Sequence, residues 1–218
     1  MAIISSDSNL LEISKDLGFR CDPLHVINIK QSEIMKPDIE LNGNLVDAIV
    51  SINNGVNYKA NLYSLEDTGI VYVSVKEFDN AIPCIFNKHG DYNEDITFLS
   101  EAVLNDESTA KGIITEADII VARSGAVGKV AWFGDIIKQN PDTIFIASGF
   151  TTKLKINENY DPKFINIWLN LPFNKYYLLA KSSGKCQRNI SQDYLYQIPM
   201  PELDLKYQKE IGEEYFLI

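Results

Sequence analysis

The sequence predicts a single mixed α+β domain with a twisted β-sheet, a helix pair and the start of a C-terminal helix. Of its 218 residues 45% are apolar, which is enough to bury a core of ordinary size. Apolar and β-branched runs typical of strands cluster between residues 70 and 156, and helical spacing of apolar residues follows them. Strands and helices do not alternate regularly, so the pattern excludes a doubly wound fold with a parallel sheet.

The N-terminal region is predicted to contain one amphipathic helix. Asn9 begins a pattern typical of a capping box, apolar residues then repeat at helical spacing, and Gly18 ends the helix. Turns are expected at residues 42–43 and 53–55. Residues 45–50, between these turns, fit either a short helix or a strand.

Five strands are predicted in the middle of the chain from continuous apolar runs or from alternation of apolar and polar residues. They are residues 70–75, 119–122, 129–133, 144–147 and 152–156. Residues 79–95, which include several acids and turn formers, are expected to form a loop. Gly125 and Gly128 predict a tight turn between the second and third strands, because glycine readily adopts a positive φ.

A helix pair and a last helix follow the strands. Asp161 and Pro162 predict a helix start, with Asp as the N-cap and Pro at the first helical position. Pro172 breaks this helix, and a second helix is expected over residues 174–181. Asp204 begins the last predicted helix, which carries an apolar stripe. The stripe fits either pairing with another helix or packing on its own domain, and it consists of Leu203, Tyr207, Ile211 and Phe216.

The net charge is −10, but it is distributed unevenly along the chain. Residues 1–110 carry −11, residues 111–191 carry +5 and residues 192–218 carry −4. No acid lies between residues 174 and 191. The overall acidity argues against a nucleic-acid partner, whereas the basic segment permits one. Ordinary variation in surface charge explains the pattern equally well.

The motifs tested for catalysis do not form a convincing active site. The segment from Gly125 to Lys129 lacks the four-residue spacing and the following Ser or Thr of a P-loop. Cys21, Cys84 and Cys186 lie far apart, so neither a zinc site nor a disulfide framework is expected. With only two histidines and no nucleophile-elbow motif, a Ser-His-Asp triad is not supported.

A metal-dependent nuclease is the least favoured alternative. Asp142, Lys153 and Lys155 suggest such a centre, but Thr152 and Leu154 stand where a further carboxylate is needed. We therefore predict a chain that is not an enzyme and that has no catalytic residue, no metal and no cofactor.

The richest candidate binding segment is residues 182–191, which combines basic and amide side chains. Lys and Arg neutralise phosphates, whereas Gln, Asn and Arg read base edges in a groove. The candidate DNA-binding residues of this segment are Lys185, Gln187, Arg188 and Asn189.

Arg123 is a further candidate, because it directly follows a buried strand. A buried, unpaired charge is unfavourable, so Arg123 either forms a salt bridge with Asp118 or Glu116 or has a functional role. Tyr58 and Lys59, which follow the turn at residues 53–55, complete the set of candidate DNA-binding residues.

Several segments resemble target recognition domains of type I restriction-modification specificity (S) subunits. Residues 118–125 (DIIVARSG) and 127–130 (VGKV) are similar to the family signature GDIL-x-x-R-SG-x-x-GK. Residues 183–195 resemble its GS-x-x-x-x-IS-x-x-x-L segment, and residues 198–211 resemble IPLPPL-x-EQ-x-x-I, which enters a long spacer helix. The resemblance covers roughly residues 45–215. The chain departs from it by having Ala117 in place of Gly and by containing one recognition domain instead of two.

The chain is expected to be cytoplasmic, because it has no apolar run of the roughly 18 residues that a membrane span needs and its first residues lack a signal-peptide pattern. The resemblance implies a non-catalytic module that reads one half of a double-stranded DNA target. It implies a methyltransferase (modification) subunit as partner, with a restriction subunit and a homodimer through the C-terminal helix as further possibilities, and no membrane. The expected domains are an N-terminal helix and linker (1–40), a target recognition domain (41–203) and the start of a spacer helix (204–218). The length of the resemblance fits a half-subunit, a fragment of a subunit or a domain of a related fused restriction-methyltransferase. The alternative function is protein interaction or assembly without DNA binding.

Overall fold

The computed structural model describes residues 23–79, 81–183 and 188–215, with side chains over 27–79, 81–183 and 188–214. The helix predicted over residues 9–18 lies outside the described residues. Within them the α-helices are α1 Pro23–Ile34, α2 Thr109–Gly112, α3 Gly134–Gln139, α4 Pro162–Asn170, α5 Pro172–Lys181, α6 Gln192–Tyr196 and α7 Leu205–Tyr215. The strands are β1 Gly43–Asn44, β2 Ile49–Asn54, β3 Tyr63–Ser64, β4 Ile70–Val73, β5 Phe78–Asp79, β6 Ile82–Pro83, β7 Phe98–Leu99, β8 Asp118–Ala122, β9 Val130–Trp132, β10 Ile144–Ala147, β11 Thr151–Ile156 and β12 Pro199–Met200.

The strands form two four-stranded sheets and two short pairs. The main sheet is antiparallel in the order β2-β11-β8-β9, and its register places Leu154 opposite both Ile52 and Ile119. The second sheet is mixed, in the order β10-β4-β7-β3, with β10 and β4 parallel. β1 pairs with β12, and β5 pairs with β6. The predicted α+β class is therefore confirmed.

The inner strand β8 of the main sheet is buried on both faces. One face, which includes Ile119 and Val121, packs in a core with helices α4 and α5. The other face, which includes Ile120 and Ala122, packs in a second core with the second sheet. This burial explains why β8 is continuously apolar after its first residue, as is typical of a strand covered on both sides.

The helix pair forms as the sequence predicts. The Asp161 carboxylate accepts a hydrogen bond from the Phe164 backbone N–H at 2.9 Å and so caps α4. Pro162 and Pro172 stand at the starts of α4 and α5. The second helix begins at Pro172 and not at residue 174, because proline is compatible with the first turn of a helix.

Helix α1 is not predicted by the sequence, which indicated a linker there. It packs on α5, and the Ser32 hydroxyl donates a hydrogen bond to the Phe173 carbonyl at 3.0 Å. Its buried side carries Asn28 and Ser32, whereas Ile34 is exposed. The helix therefore lacks the apolar periodicity by which amphipathic helices are recognised.

Three smaller expectations are corrected. Residues 45–50 form a 3₁₀ helix over Leu45–Ala48 followed by the start of β2, so both interpretations of this segment apply. Asn53 and Asn54, expected in a turn, are the last two residues of β2, and the strand ends before Gly55. The loop expected over residues 79–95 contains β6 and the end of β5.

The C-terminal helix begins near Asp204, as predicted. The buried Gln208 attaches it to the domain, because its side-chain oxygen accepts a hydrogen bond from the Asp161 N–H at 2.9 Å. Tyr207 and Ile211 of the predicted apolar stripe are 56% and 38% exposed. The helix therefore docks mainly through a different side and leaves much of this stripe uncovered.

Replacement of Gly55 by Ala is expected to destabilise the domain by about 3 kcal/mol, the upper end of the typical cost of overpacking. The new Cβ would lie 2.2 Å from the Ser148 carbonyl oxygen, and neither backbone segment can move without disturbing its sheet. Urea unfolding measures the loss. Gly43→Ala is the matched control, because its nearest neighbour, the Asp47 carboxylate, lies at 3.4 Å. Equal stabilities of the two variants would contradict the prediction.

Candidate nucleic-acid interface

Loops from several parts of the chain meet at one end of the main sheet. Because the sheet is antiparallel, β2 and β8 end there while β11 and β9 begin there. We call this end the loop rim. Its described residues are 54–59, 123–129, 148–151 and 188–192.

Backbone hydrogen bonds hold the loop rim together. The Phe150 carbonyl accepts from the Arg123 N–H at 3.0 Å. The Arg188 carbonyl accepts from the Gly125 N–H at 3.0 Å, and the Arg123 carbonyl accepts from the Ile190 N–H at 2.9 Å. Three segments that are distant in the sequence are thus joined through main-chain atoms, so the shape of the rim depends little on the identity of its side chains.

The turn between β8 and β9 has the predicted glycine conformation. Gly125 and Gly128 have φ angles of +79° and +98°. These are left-handed values that other residues adopt only with strain. The two glycines therefore serve the tight connection between two strands that the sequence predicts.

Arg123 is a candidate whose charged group has no partner among the described residues. The acids expected to neutralise it are engaged elsewhere: Asp118 with Lys153 at 3.6 Å and Glu116 with Lys138 at 3.4 Å. Within the described residues, the partly buried Arg123 guanidinium has no hydrogen-bond or ion-pair partner. The salt-bridge interpretation of Arg123 is therefore wrong, and its charge remains available to a ligand.

Arg188 and Asn189 lie beside Arg123, but their groups are partly engaged. The Arg188 guanidinium donates to the Leu179 carbonyl at 3.1 Å, and so caps the C-terminal end of α5. The exposed Asn189 exchanges two backbone hydrogen bonds with Ser183, at 2.8 and 2.7 Å. The other two candidates of this segment, Lys185 and Gln187, lie outside the described residues.

Tyr58 and Lys59 follow β2 on the same rim and differ in availability. The Tyr58 hydroxyl hydrogen-bonds to the Thr109 hydroxyl at 2.6 Å, and its ring lies edge-on to Tyr72 at 5.8 Å. Burial raises the pKa of Tyr58. Tyr58 thus has a packing role, whereas Lys59 is exposed and has no ion-pair partner among the described residues.

The structure adds three rim residues that sequence reasoning missed. Phe150 is 49% exposed although it is a large apolar residue. Asn54 and Gln192 meet through a hydrogen bond of 3.2 Å between their side-chain amides. The only available signal in the sequence was the Asn-Asn-Gly turn at Asn54, which says nothing about a partner 138 residues away.

The segments that reach the loop rim contain no Asp or Glu. Two acids border them: Asp79, which pairs with Lys129 at 3.5 Å, and the exposed Asp193. The rim therefore differs in charge from a protein whose net charge is −10. The acid-free segments are residues 51–65, 119–134, 143–157 and 162–192.

The structure does not assemble the residues of the nuclease alternative. Asp142 is exposed in the turn before β10, whereas Lys153 is buried beside Asp118. Within residues 23–79, 81–183 and 188–215, no three His, Cys, Asp or Glu side chains are grouped so that they could hold a metal ion.

No protein-family model matches the sequence, and no curated protein matches it. Solved structures do match. A chain from a structure that addresses complex assembly and conformational transition of the type I restriction-modification system has a TM-score of 0.55 at 14% identity, over 95% of this chain and 48% of that one.

Two further structures are S subunits of type I systems. The S subunit from M. genitalium matches with a TM-score of 0.52 at 17% identity, over 83% of this chain and 41% of its own. The HsdS subunit from Thermoanaerobacter tengcongensis matches with a TM-score of 0.52 at 13% identity, over 95% and 44%. The fold implied by the sequence resemblance is thus confirmed: the chain has the fold seen in S subunits and spans less than half of their length.

The two rim arginines are expected to respond differently to truncation. Arg188→Ala should destabilise the domain by about 1–2 kcal/mol, because it removes a charged donor from the end of α5. Arg123→Ala should change the free energy of unfolding by less than about 0.5 kcal/mol, because no described group pairs with its guanidinium. Urea unfolding of both variants tests this, and a larger loss for Arg123→Ala than for Arg188→Ala would contradict it.

Proposed function

We propose that the chain is the non-catalytic, sequence-specific DNA-binding module of a restriction-modification system. It reads one half of a DNA target for a complex of methyltransferase and endonuclease. The observation that carries the proposal is the loop rim, where acid-free segments meet and Arg123 has no partner among the described residues. A basic, exposed loop surface with amide side chains is what phosphate anchoring and base reading require.

The fold supports the specificity role. The chain shares its fold with S subunits of type I systems and covers 41–48% of the chains that it matches. This extent fits one recognition unit, and therefore one half of a target. The recognition unit is assigned to residues 41–203, preceded by a helix and linker over 1–40 and followed by a spacer helix over 204–218.

The partners follow from the same role. The first structural match concerns complex assembly of a type I system, which supports a methyltransferase subunit as partner and, with it, a restriction subunit. The exposed Tyr207 and Ile211 on α7 give a surface through which a second helix, including that of a second copy, would pack. Every described helix is too short or too polar to span a bilayer.

The second candidate function is protein interaction or assembly without DNA binding. The net charge of −10 favours it, because an acidic protein repels the phosphate backbone at long range. The two candidate functions differ in what the loop rim contacts, so a DNA-binding measurement distinguishes them directly.

The wild-type protein is expected to enrich a short half-site of a few base pairs from a randomised duplex pool at low salt. The selection is performed with the protein alone and with a cognate methyltransferase subunit, and the bound fraction is sequenced. Enrichment in either condition supports the specificity module. If the protein is folded and neither condition enriches a sequence, protein interaction becomes the better assignment.

Lys59→Ala is expected to weaken DNA binding uniformly across sequences and to reduce the salt slope of log K by about one. The reason is that an exposed lysine on the rim neutralises one phosphate. Titration of a labelled duplex at several salt concentrations measures the slope. Lys206→Ala is the matched control, because Lys206 is also highly exposed but lies on α7. Equal slopes for the two variants would remove Lys59 from the interface.

A further inference from the structure

Asn54 and Gln192 form a fixed amide pair on the loop rim. Asn54 ends β2 and Gln192 begins α6. The Gln192 amide nitrogen donates to the Asn54 side-chain oxygen at 3.2 Å, and the Thr152 hydroxyl donates to the same oxygen at 3.2 Å. Because Thr152 is buried in β11, three elements of regular structure together set the orientation of the two amides.

The amide pair leaves the whole NH₂ group of Asn54 and the side-chain oxygen of Gln192 unused, besides the second N–H of Gln192. Within the described residues, neither the Asn54 amide nitrogen nor the Gln192 side-chain oxygen has a hydrogen-bond partner. Rotating both amides by half a turn exchanges their roles, but it still leaves a free donor and a free acceptor. The pair thus presents a donor beside an acceptor in either arrangement.

Among the bases, this pattern selects adenine. In the major groove adenine presents the acceptor N7 beside the donor N6, guanine presents two acceptors, cytosine presents a donor, and thymine presents an acceptor and a methyl group. A neighbouring donor and acceptor therefore satisfy both polar groups of adenine, whereas each other single base leaves one of the two amide groups unmatched.

The position of the pair suits base reading. Gln192 lies two residues after Ile190, whose N–H donates to the Arg123 carbonyl at 2.9 Å. The amides thus share the rim with Arg123 and lie in or next to segments without acids. Because Thr152 already orders the Asn54 side chain, Asn54 loses less conformational entropy on binding DNA than an unrestrained asparagine would lose.

We propose that Asn54 and Gln192 together read one adenine of the DNA half-site from the major groove. The inference rests on the proposed DNA-binding function. It assigns a base and an atom to each amide, with Asn54 facing N7 and Gln192 facing N6 in the arrangement that the structure shows.

The first test compares half-sites selected from the randomised duplex pool. Asn54→Asp keeps the oxygen that accepts from Thr152 and Gln192, and it replaces the free donor by a second acceptor. It should lower the preference for adenine at one position by about 5- to 150-fold and leave the other positions unchanged. Gln192→Ala should affect the same position. Because Asp adds a negative charge, the quantity compared is the relative preference among bases, not the total affinity.

Gln197→Ala is the matched control. Gln197 is an exposed glutamine in the turn that ends α6, the helix that Gln192 begins. It should leave the selected half-site unchanged. If Asn54→Asp and Gln192→Ala also select the wild-type half-site, the adenine assignment is overturned while the proposed DNA-binding function stands. If the folded wild type itself enriches no sequence, the proposed function fails and the inference fails with it.

Base analogues test the atoms directly. In the selected half-site, 7-deazaadenine removes the N7 acceptor and purine removes the N6 donor. Each analogue should weaken binding of the wild type. Asn54→Asp, which has lost the donor that faces N7, should not respond to 7-deazaadenine. Gln192→Ala, which has lost the acceptor that faces N6, should not respond to purine. Full analogue sensitivity in both variants would refute the proposal.

Discussion

Burial of both faces of β8, an inner strand of the main sheet, is the constraint on which the rest of the structure depends. Ile119 and Val121 belong to one core, and Ile120 and Ala122 belong to the other. Lys153, on the neighbouring strand, is tolerated inside because it lies 3.6 Å from the Asp118 carboxylate. With both faces covered, β8 can present polar groups to a ligand only at its ends. Under the proposed function, recognition therefore falls to the loops that begin there.

The two ends of the main sheet have different tasks. One end carries the loop rim. The opposite end leads into α4, against which α7 is held by the Gln208–Asp161 hydrogen bond and by the Lys163–Glu213 ion pair at 2.9 Å. Contacts that hold the C-terminal helix are thus separated from those that shape the rim. A change in a rim side chain can alter what is bound without altering how this helix leaves the domain, which is the separation that a specificity module needs.

The features that could be predicted from the sequence were those set by residues close together in the chain. The strand Asp118–Ala122 and the capped helix Pro162–Asn170 follow from apolar runs and from Asp161 followed by proline. Helix α1 could not be found in this way, because its buried side carries Asn28 and Ser32. At the candidate site Arg123 was identified but its partners were not, since the pairing of Asp118 with Lys153 depends on strand register. The Asn54–Gln192 pair depends on a tertiary contact alone, so the residue pattern could not predict it.

The acidity of the chain is compatible with DNA binding because of where its acids lie. At physiological ionic strength the Debye length is about 8 Å, so the potential at the rim depends mainly on nearby charges, which include the bordering Asp79 and Asp193. The acids of the chain as a whole weaken the long-range attraction to phosphates that produces non-specific binding. Base-edge hydrogen bonds act only at contact and do not depend on net charge. If the chain reads DNA as proposed, its acidity weakens non-specific binding, and base-edge contacts at the rim must then supply the affinity for a matched half-site.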